Sequence, residues 1–169
     1  RDGRPGRQGL MPVFQTSKRV SVPPDIAYEV ASDVAAYRDF LPLMQRSVIR
    51  SARTPIPGGE TFAAELSIAY PKLGLSESFT SRVEVSREAR TVRAISTEPP
   101  FRSIEAQWKI TAVGNDSDIA IRIDYAFRSA LMQLAAGGLM PMAVQKVMAA
   151  FEERARLIQR RAAISNSSA

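Results

Sequence analysis

Few side chains in this sequence are able to perform acid–base, nucleophilic or metal chemistry, because its 169 residues include no Cys and no His. That composition excludes disulfides, thiol and imidazole catalysis, haem ligation by His and Cys/His zinc sites. The remaining candidates for proton transfer, or for a hydrogen bond to a ligand, are Glu77, Tyr70 and Tyr125. Glu77 would act as an acid if it were buried, whereas a place at the water-exposed end of a strand near Gly74 would leave it inert.

The other charged or glycine-containing groups form no catalytic set. Asp116 and Asp118 fall in a predicted hairpin turn, and Glu152-Glu153 is expected on the solvent face of a helix. Gly58-Gly59 reads as a turn and lacks the strand, Lys and helix context of a phosphate-binding loop. The sequence therefore predicts no catalytic residue, no metal site and no covalent cofactor.

The balance of charge favours an anionic neighbour. Hydrophobic residues make up 45% and charged residues 24%, as in a globular domain, and the net charge is +6 with a pI of about 10.2. Such a protein suits a ribosome or anionic lipid headgroups, although a merely solubilising basic surface explains the charge equally well. The basic residues are scattered, apart from Arg154, Arg156, Arg160 and Arg161 near the C-terminus. No basic run is interleaved with aromatic residues as in an RNA-binding sheet, and we expect no DNA partner.

The two ends of the sequence lie outside the predicted domain. Residues 1–10 hold three Gly and three Arg without apolar periodicity, which indicates a leader or a disordered extension. Residues 11–163 read as one domain, and residues 164–169 as a tail. Residues 130–144 form the longest apolar stretch, and they fall short of the ~20 residues of a membrane span. We expect a cytoplasmic protein that visits the inner membrane transiently.

The apolar pattern gives the order of the elements. A strand is predicted over residues 13–22, followed by two short helices from Pro24 and over 34–40. Alternation with a period of two then indicates half-buried antiparallel strands, and Gly114-Asn115-Asp116 suits a tight hairpin between two of them. The predicted later strands cover residues 48–53, 62–70, 79–85, 91–97, 104–110 and 119–127.

A long helix is predicted from Ser129, a suitable N-cap, to about Ala163. Gly137, Gly138 and Pro141 are expected to bend or interrupt it. One helix covers a sheet of about seven strands only if the sheet curls around it, and such an arrangement leaves an apolar pocket between them.

Four local strings occur in this order and resemble the START-like (helix-grip) superfamily. The nearest branch is similar to the coenzyme Q-binding, polyketide cyclase/dehydrase and lipid transport proteins, which include bacterial ribosome-association toxins. The resemblance spans roughly residues 13–158. The strings are Tyr37-Arg38-Asp39-Phe40-Leu41-Pro42; Leu75 to Val83 with its Phe-x-Ser-x-Val; Pro100-Phe101 with Ile104-x-Ala106-x-Trp108; and Phe127 to Leu131 with Ala149 to Ala155 on the helix.

Three positions depart from the family pattern. Pro99 stands where Gly is usual before Pro-Phe, Ala106 stands where Gly is usual before the Trp, and Leu43-Met44 replaces Trp-Cys. These are changes that packing tolerates, although Pro99 alters a turn near the expected pocket mouth and so bears on ligand preference.

The resemblance implies an α+β helix-grip fold, with a curved antiparallel sheet wrapped around the C-terminal helix. It further implies a non-enzymatic protein that binds ubiquinone or another polyprenyl lipid and supports respiratory electron transport. Two alternatives stay open: a toxin that binds the large ribosomal subunit, and an aromatic polyketide cyclase or dehydratase. The expected ligand-binding residues are Leu66, Ile68, Tyr70, Glu77, Phe79, Val83, Phe101, Ile104, Trp108, Tyr125, Phe127, Leu131, Leu134, Leu139 and Met142.

Overall fold

The computed structural model describes residues 13–168 of the chain, so the expectation for residues 1–10 lies outside the described residues. It contains an eight-stranded antiparallel sheet and a long C-terminal helix. Seven strands follow the order β1-β8-β7-β6-β5-β4-β2, and β3 pairs with β4 beside that path. The strands are β1 Val13–Val20, β2 Met44–Ile49, β3 Thr54–Ile56, β4 Gly59–Tyr70, β5 Leu75–Ser86, β6 Thr91–Ser96, β7 Phe101–Val113 and β8 Asp116–Phe127.

Three helices complete the fold: α1 Pro24–Ser32, α2 Tyr37–Phe40 and α3 Ala130–Ser167. Pro24 begins α1 at a position where the missing backbone N–H costs nothing, and a 3-10 turn over residues 34–36 joins α1 to α2. The α+β architecture and both short helices after the first strand are confirmed. Two elements too short to show a periodic pattern, β3 and a 3-10 turn at Pro71–Leu73, were not foreseen. The strand expected over residues 48–53 lies earlier, at Met44–Ile49.

Register follows the alternation seen in the sequence. Strands β7 and β8 pair from Val113↔Asp116 through Trp108↔Ile121, so the predicted tight hairpin is confirmed. Gly114 occupies the first loop position with φ +60°, the conformation that a two-residue hairpin of type II′ requires there.

Helix α3 begins at Ser129, whose hydroxyl accepts a hydrogen bond from the Met132 amide at 3.2 Å. It runs without interruption through Pro141 and continues to Ser167, so the expected break is wrong and the helix outlasts its expected end at Ala163. The row that faces the sheet is buried and explains this persistence, because packing outweighs local propensity. That row comprises Ala136, Val144, Met148, Phe151 and Ala155.

By length and composition α3 is also able to cross a membrane, but the core helix of a soluble domain passes the same test. In this structure the buried face of α3 packs against the sheet, for example through Phe151 on Trp108. Glu152, expected in solvent, has a side chain that is only 15% exposed and pairs with Lys18 of β1 and with Arg156 at 2.7 Å.

The outer face of the sheet carries a row of ion pairs. On β6, the Arg93 guanidinium donates to both carboxylate oxygens of Glu105 on β7, at 2.6 and 3.0 Å. It also reaches Glu84 on β5 at 3.2 Å. These neighbouring strands are thereby linked on the face that points away from α3, where alternation placed the charged residues.

Candidate functional site

Two adjoining apolar chambers lie between the sheet and α3. The first has a volume of about 150 Å³ and the second about 180 Å³. Most residues around the first are partly exposed, whereas most around the second are buried. We therefore call them the outer chamber and the inner chamber.

The outer chamber is lined by the ends of β4, β5, β7 and β8 and by the first half of α3. Its wall is made of hydrocarbon and aromatic surface. Two rings, Phe101 and Phe127, pack there with centroids 4.8 Å apart. The lining residues are Leu43, Ile68, Ala69, Tyr70, Leu75, Phe101, Ile104, Ile123, Tyr125, Phe127, Ala136, Leu139, Met140 and Ala143.

The inner chamber lies deeper, under the segment that joins α1 to β2. Its base is closed by Trp108, whose indole stacks on Phe151 of α3. The residues around it are Val34, Tyr37, Leu41, Met44, Leu66, Ile68, Phe79, Ser81, Val83, Val92, Ala94, Ile104, Ala106, Trp108, Ile121 and Val147.

The polar groups of the two chambers are few. In the inner chamber the Tyr37 hydroxyl donates to the Ala31 carbonyl oxygen, and burial raises the pKa of Tyr37 well above its usual range. In the outer chamber burial likewise raises the pKa of Tyr125. Both phenols therefore stay protonated at neutral pH and act as hydrogen-bond groups. None of the described lining residues is Asp, Glu, Lys or Arg.

Most residues expected in the pocket do reach it, because period-two alternation puts every second side chain of a strand on the concave face. Tyr70, Phe101, Tyr125, Phe127 and Leu139 line the outer chamber. Leu66, Phe79, Val83 and Trp108 line the inner one, and Ile68 and Ile104 line both.

Four expected residues do not reach it. Glu77, in β5, is exposed, so its carboxyl lies in water and has no role in the pocket. On α3, Leu131 is 78% exposed, Leu134 79% and Met142 44%. A helix repeats every 3.6 residues, so the buried row through Ala136 and Val144 leaves these three on other faces. The hydrophobic character of these three residues alone did not show which face of α3 is buried.

Several lining residues were missed. Ile121 and Ile123 share the alternating face of Tyr125, so the pattern contained the signal for them. The helix row of Ala136, Met140 and Ala143 follows from the buried phase of α3. Leu41 and Leu43 come from the irregular segment before β2 and Met44 begins that strand, so no periodic pattern in the sequence predicts their place.

The loop before β7 is tied to the outer chamber through Arg128. The Arg128 guanidinium donates to the Phe101 carbonyl and to the Thr97 carbonyl, each at 2.9 Å. The Phe101 ring beside this loop lines the outer chamber. Within residues 13–168, no group of three or more acidic residues is placed to hold a metal ion.

The fold recurs in known proteins. The family model described as "Polyketide cyclase / dehydrase and lipid transport" matches residues 20–152. The chain belongs to this family. The match covers the elements from the end of β1 to the buried part of α3, and so includes the strands and helix that enclose both chambers.

The chain is similar to two bacterial proteins in sequence and to one solved structure in fold. It is 27% identical to the persistence and stress-resistance toxin PasT of Escherichia coli strain CFT073, over 87% of this chain and 89% of that protein. It is 26% identical to the ribosome association toxin RatA of Escherichia coli K12, with the same coverage. A START superfamily protein from Mycobacterium smegmatis has the same fold, with a TM-score of 0.73 at 15% identity over 86% of this chain and 98% of that one.

Proposed function

We propose that this family member binds an apolar small molecule or lipid between the sheet and α3 and catalyses no reaction on it. The observation that carries this proposal is the wall of the chambers, which is apolar throughout its described residues apart from a few hydroxyl and indole groups. Transfer of an apolar tail from water to such a wall contributes about 0.8 kcal/mol per methylene. Affinity then needs few hydrogen bonds.

Ubiquinone or another polyprenyl lipid is the ligand class that we propose, in support of respiratory electron transport. The apolar chambers suit an isoprenoid tail, and the Tyr70 and Tyr125 side chains on the outer chamber offer hydrogen bonds to an oxygen-bearing ring. The two chambers together only reach the lower end of the ~300–1,000 Å³ usual for ligand pockets. A lipid larger than this volume therefore lies partly outside the two chambers.

Mass spectrometry of an organic extract of the freshly purified protein tests this proposal. We expect a stoichiometric polyprenyl quinone or other lipid, either as isolated or after incubation with vesicles that contain ubiquinone. An extract that stays empty after that incubation contradicts the proposal.

An enzymatic role has less support, although the family includes cyclases and dehydratases by description. Such reactions need a group that exchanges protons near neutral pH. The chambers offer phenols instead, and burial holds the pKa of Tyr125 above its usual range. If the protein turns over a polyketide substrate and Tyr70→Phe/Tyr125→Phe abolishes that turnover, the enzyme proposal replaces the carrier proposal.

Ribosome association is the second candidate, and two observations favour it. RatA is similar along most of this chain. From Arg160 onward every described residue of α3 is exposed, so Arg160 and Arg161 project beyond the core as exposed cations suited to RNA phosphates. We expect salt-sensitive cosedimentation with large ribosomal subunits.

A matched pair of variants tests the ribosome proposal. Arg160→Glu/Arg161→Glu should abolish cosedimentation, whereas Lys72→Glu/Lys109→Glu, which changes the net charge equally, should leave most of it. Equal loss in both variants would indicate unspecific attraction, and no binding by the natural chain would exclude this candidate.

The proposed setting is the bacterial cytoplasm with transient visits to the inner membrane. Leu131 and Leu134 stand exposed on the first turns of α3, beside the outer chamber. Arg102 and Arg128 are exposed at the same end of the sheet. Apolar side chains flanked by cations are suited to an anionic lipid surface.

A further inference from the structure

The boundary between the two chambers is formed by two isoleucines from different strands. Ile68 of β4 and Ile104 of β7 each line the outer and the inner chamber. They are separated in the sheet by β5 and β6, so they reach the boundary from two different parts of the sheet.

The order of side chains along each strand supports a boundary at these two isoleucines. On β4, Leu66 lines the inner chamber, Ile68 lines both, and Tyr70 lines the outer chamber. On β7 the same sequence runs from Ala106 through Ile104 to Phe101. In both strands an isoleucine therefore stands at the level where the two chambers meet.

Aromatic rings also pack at the level where the two chambers meet. The ring of Phe79 on the inner side meets that of Phe101 on the outer side edge to face, with centroids 5.2 Å apart. Isoleucine is branched at Cβ and has a strongly restricted first side-chain torsion. The two isoleucines consequently do not swing aside as freely as unbranched side chains would.

We propose that Ile68 and Ile104 set how much of an apolar tail this protein buries: the tail fills the outer chamber and stops at their side chains. The inner chamber is then a reserve subsite, opened only when the isoleucines are shortened. This inference rests on the proposed function as a carrier of apolar ligands, and it adds a limit on length that the family relationship does not supply.

The test measures the affinity of a series of unbranched saturated alcohols of increasing length by calorimetry. For the natural chain we expect affinity to rise roughly fourfold with each methylene and then to level off. In Ile68→Ala/Ile104→Ala the rise should continue to longer alcohols. Ile110→Ala is the matched control, because Ile110 is a buried isoleucine of β7 that lines neither chamber.

A second readout reports directly on the inner chamber. Trp108 is the chain's single tryptophan and lines only that chamber. An alcohol brominated at its far end should quench Trp108 fluorescence in the double variant and leave it unquenched in the natural chain. If the double variant fails to fold, Ile68→Val/Ile104→Val should also move the levelling-off of affinity to longer alcohols, by a smaller amount.

The outcomes separate the two proposals. A levelling-off length that is the same in the double variant and the natural chain overturns the role of the isoleucines while leaving the carrier function intact. Quenching of Trp108 in the natural chain overturns it as well. If no alcohol binds the natural chain or any variant, the carrier function itself fails.

Discussion

The indole of Trp108 stacks on the ring of Phe151, with centroids 4.7 Å apart and planes inclined by 30°. Trp108 belongs to β7 and Phe151 to α3, so this pair joins the middle of the sheet to the helix that the sheet encloses. Both rings are buried, Phe151 with 2% exposure. The pair therefore fixes the distance between sheet and helix at the closed base of the inner chamber.

Truncation of this pair should weaken the whole domain. We expect Phe151→Ala to lower the free energy of unfolding by about 3–5 kcal/mol, the range for a buried Phe replaced by Ala. Urea unfolding followed by circular dichroism measures this change. Ile164→Ala, at an exposed site on the same helix, should change it by less than about 0.5 kcal/mol. A Phe151→Ala loss as small as that of the control would show that the helix is not held at this point.

Filling the outer chamber should separate stability from ligand binding. Ala136 is 4% exposed and lines that chamber, so Ala136→Leu places a larger side chain in empty space. We expect the free energy of unfolding to rise by about 1 kcal/mol, as cavity-filling changes commonly give, while uptake of lipid from vesicles falls at least tenfold. Ala162→Leu, exposed near the end of the same helix, should alter neither. Undiminished uptake by Ala136→Leu would place the ligand elsewhere.

The row of ion pairs on the outer face should give a pH-dependent share of stability. The hydrogen bonds from Arg93 hold the pKa of Glu105 below its ordinary 4.5. A lowered pKa in the folded state stabilises the fold above the ordinary value, and this contribution is lost as the pH falls through the folded-state pKa. We therefore expect Arg93→Gln to cost about 1 kcal/mol at pH 7, with the difference shrinking below pH 4.5.

Chemical unfolding at a series of pH values measures the effect of Arg93→Gln. The suitable control is Arg38→Gln, which removes a pair with Asp39 that is exposed and 3.8 Å long and should change stability little at any pH. A loss in Arg93→Gln that stays constant across the acid range would show that Glu105 is not the group responsible.

The exposed leucines of α3 should matter for membranes and not for folding. Leu131→Ser/Leu134→Ser should leave the free energy of unfolding nearly unchanged, because both side chains are more than three-quarters exposed. Binding to vesicles that contain phosphatidylglycerol should fall more than tenfold, since insertion of one leucine contributes about 1.5–3 kcal/mol. Ile164→Ser, on a distant part of the helix, should bind as the natural chain does. Equal vesicle binding by all three proteins would refute membrane contact through these leucines.

Sequence periodicity determined the architecture and most of the pocket. Alternation in the stretches around Leu66, Phe79, Trp108 and Tyr125 assigned their faces correctly, because a strand offers only two faces and the buried one must be apolar. The tight turn at Gly114 followed from local backbone chemistry in the same way. These features depend on neighbours in the chain, so a single sequence contains them.

Tertiary structure decided what the pattern left ambiguous. In the first half of α3 nearly every face carries apolar residues, so only packing against the sheet reveals that Ala136 faces inward while Leu131 and Leu134 face water. The place of Leu43 and Met44 depends on how the chain enters β2 and pairs there with β4. Ile68 and Ile104 lie where the two chambers meet, on strands that are not adjacent in the sheet. Their proximity to one cavity depends on the tertiary fold, so the periodicity of the sequence does not predict it.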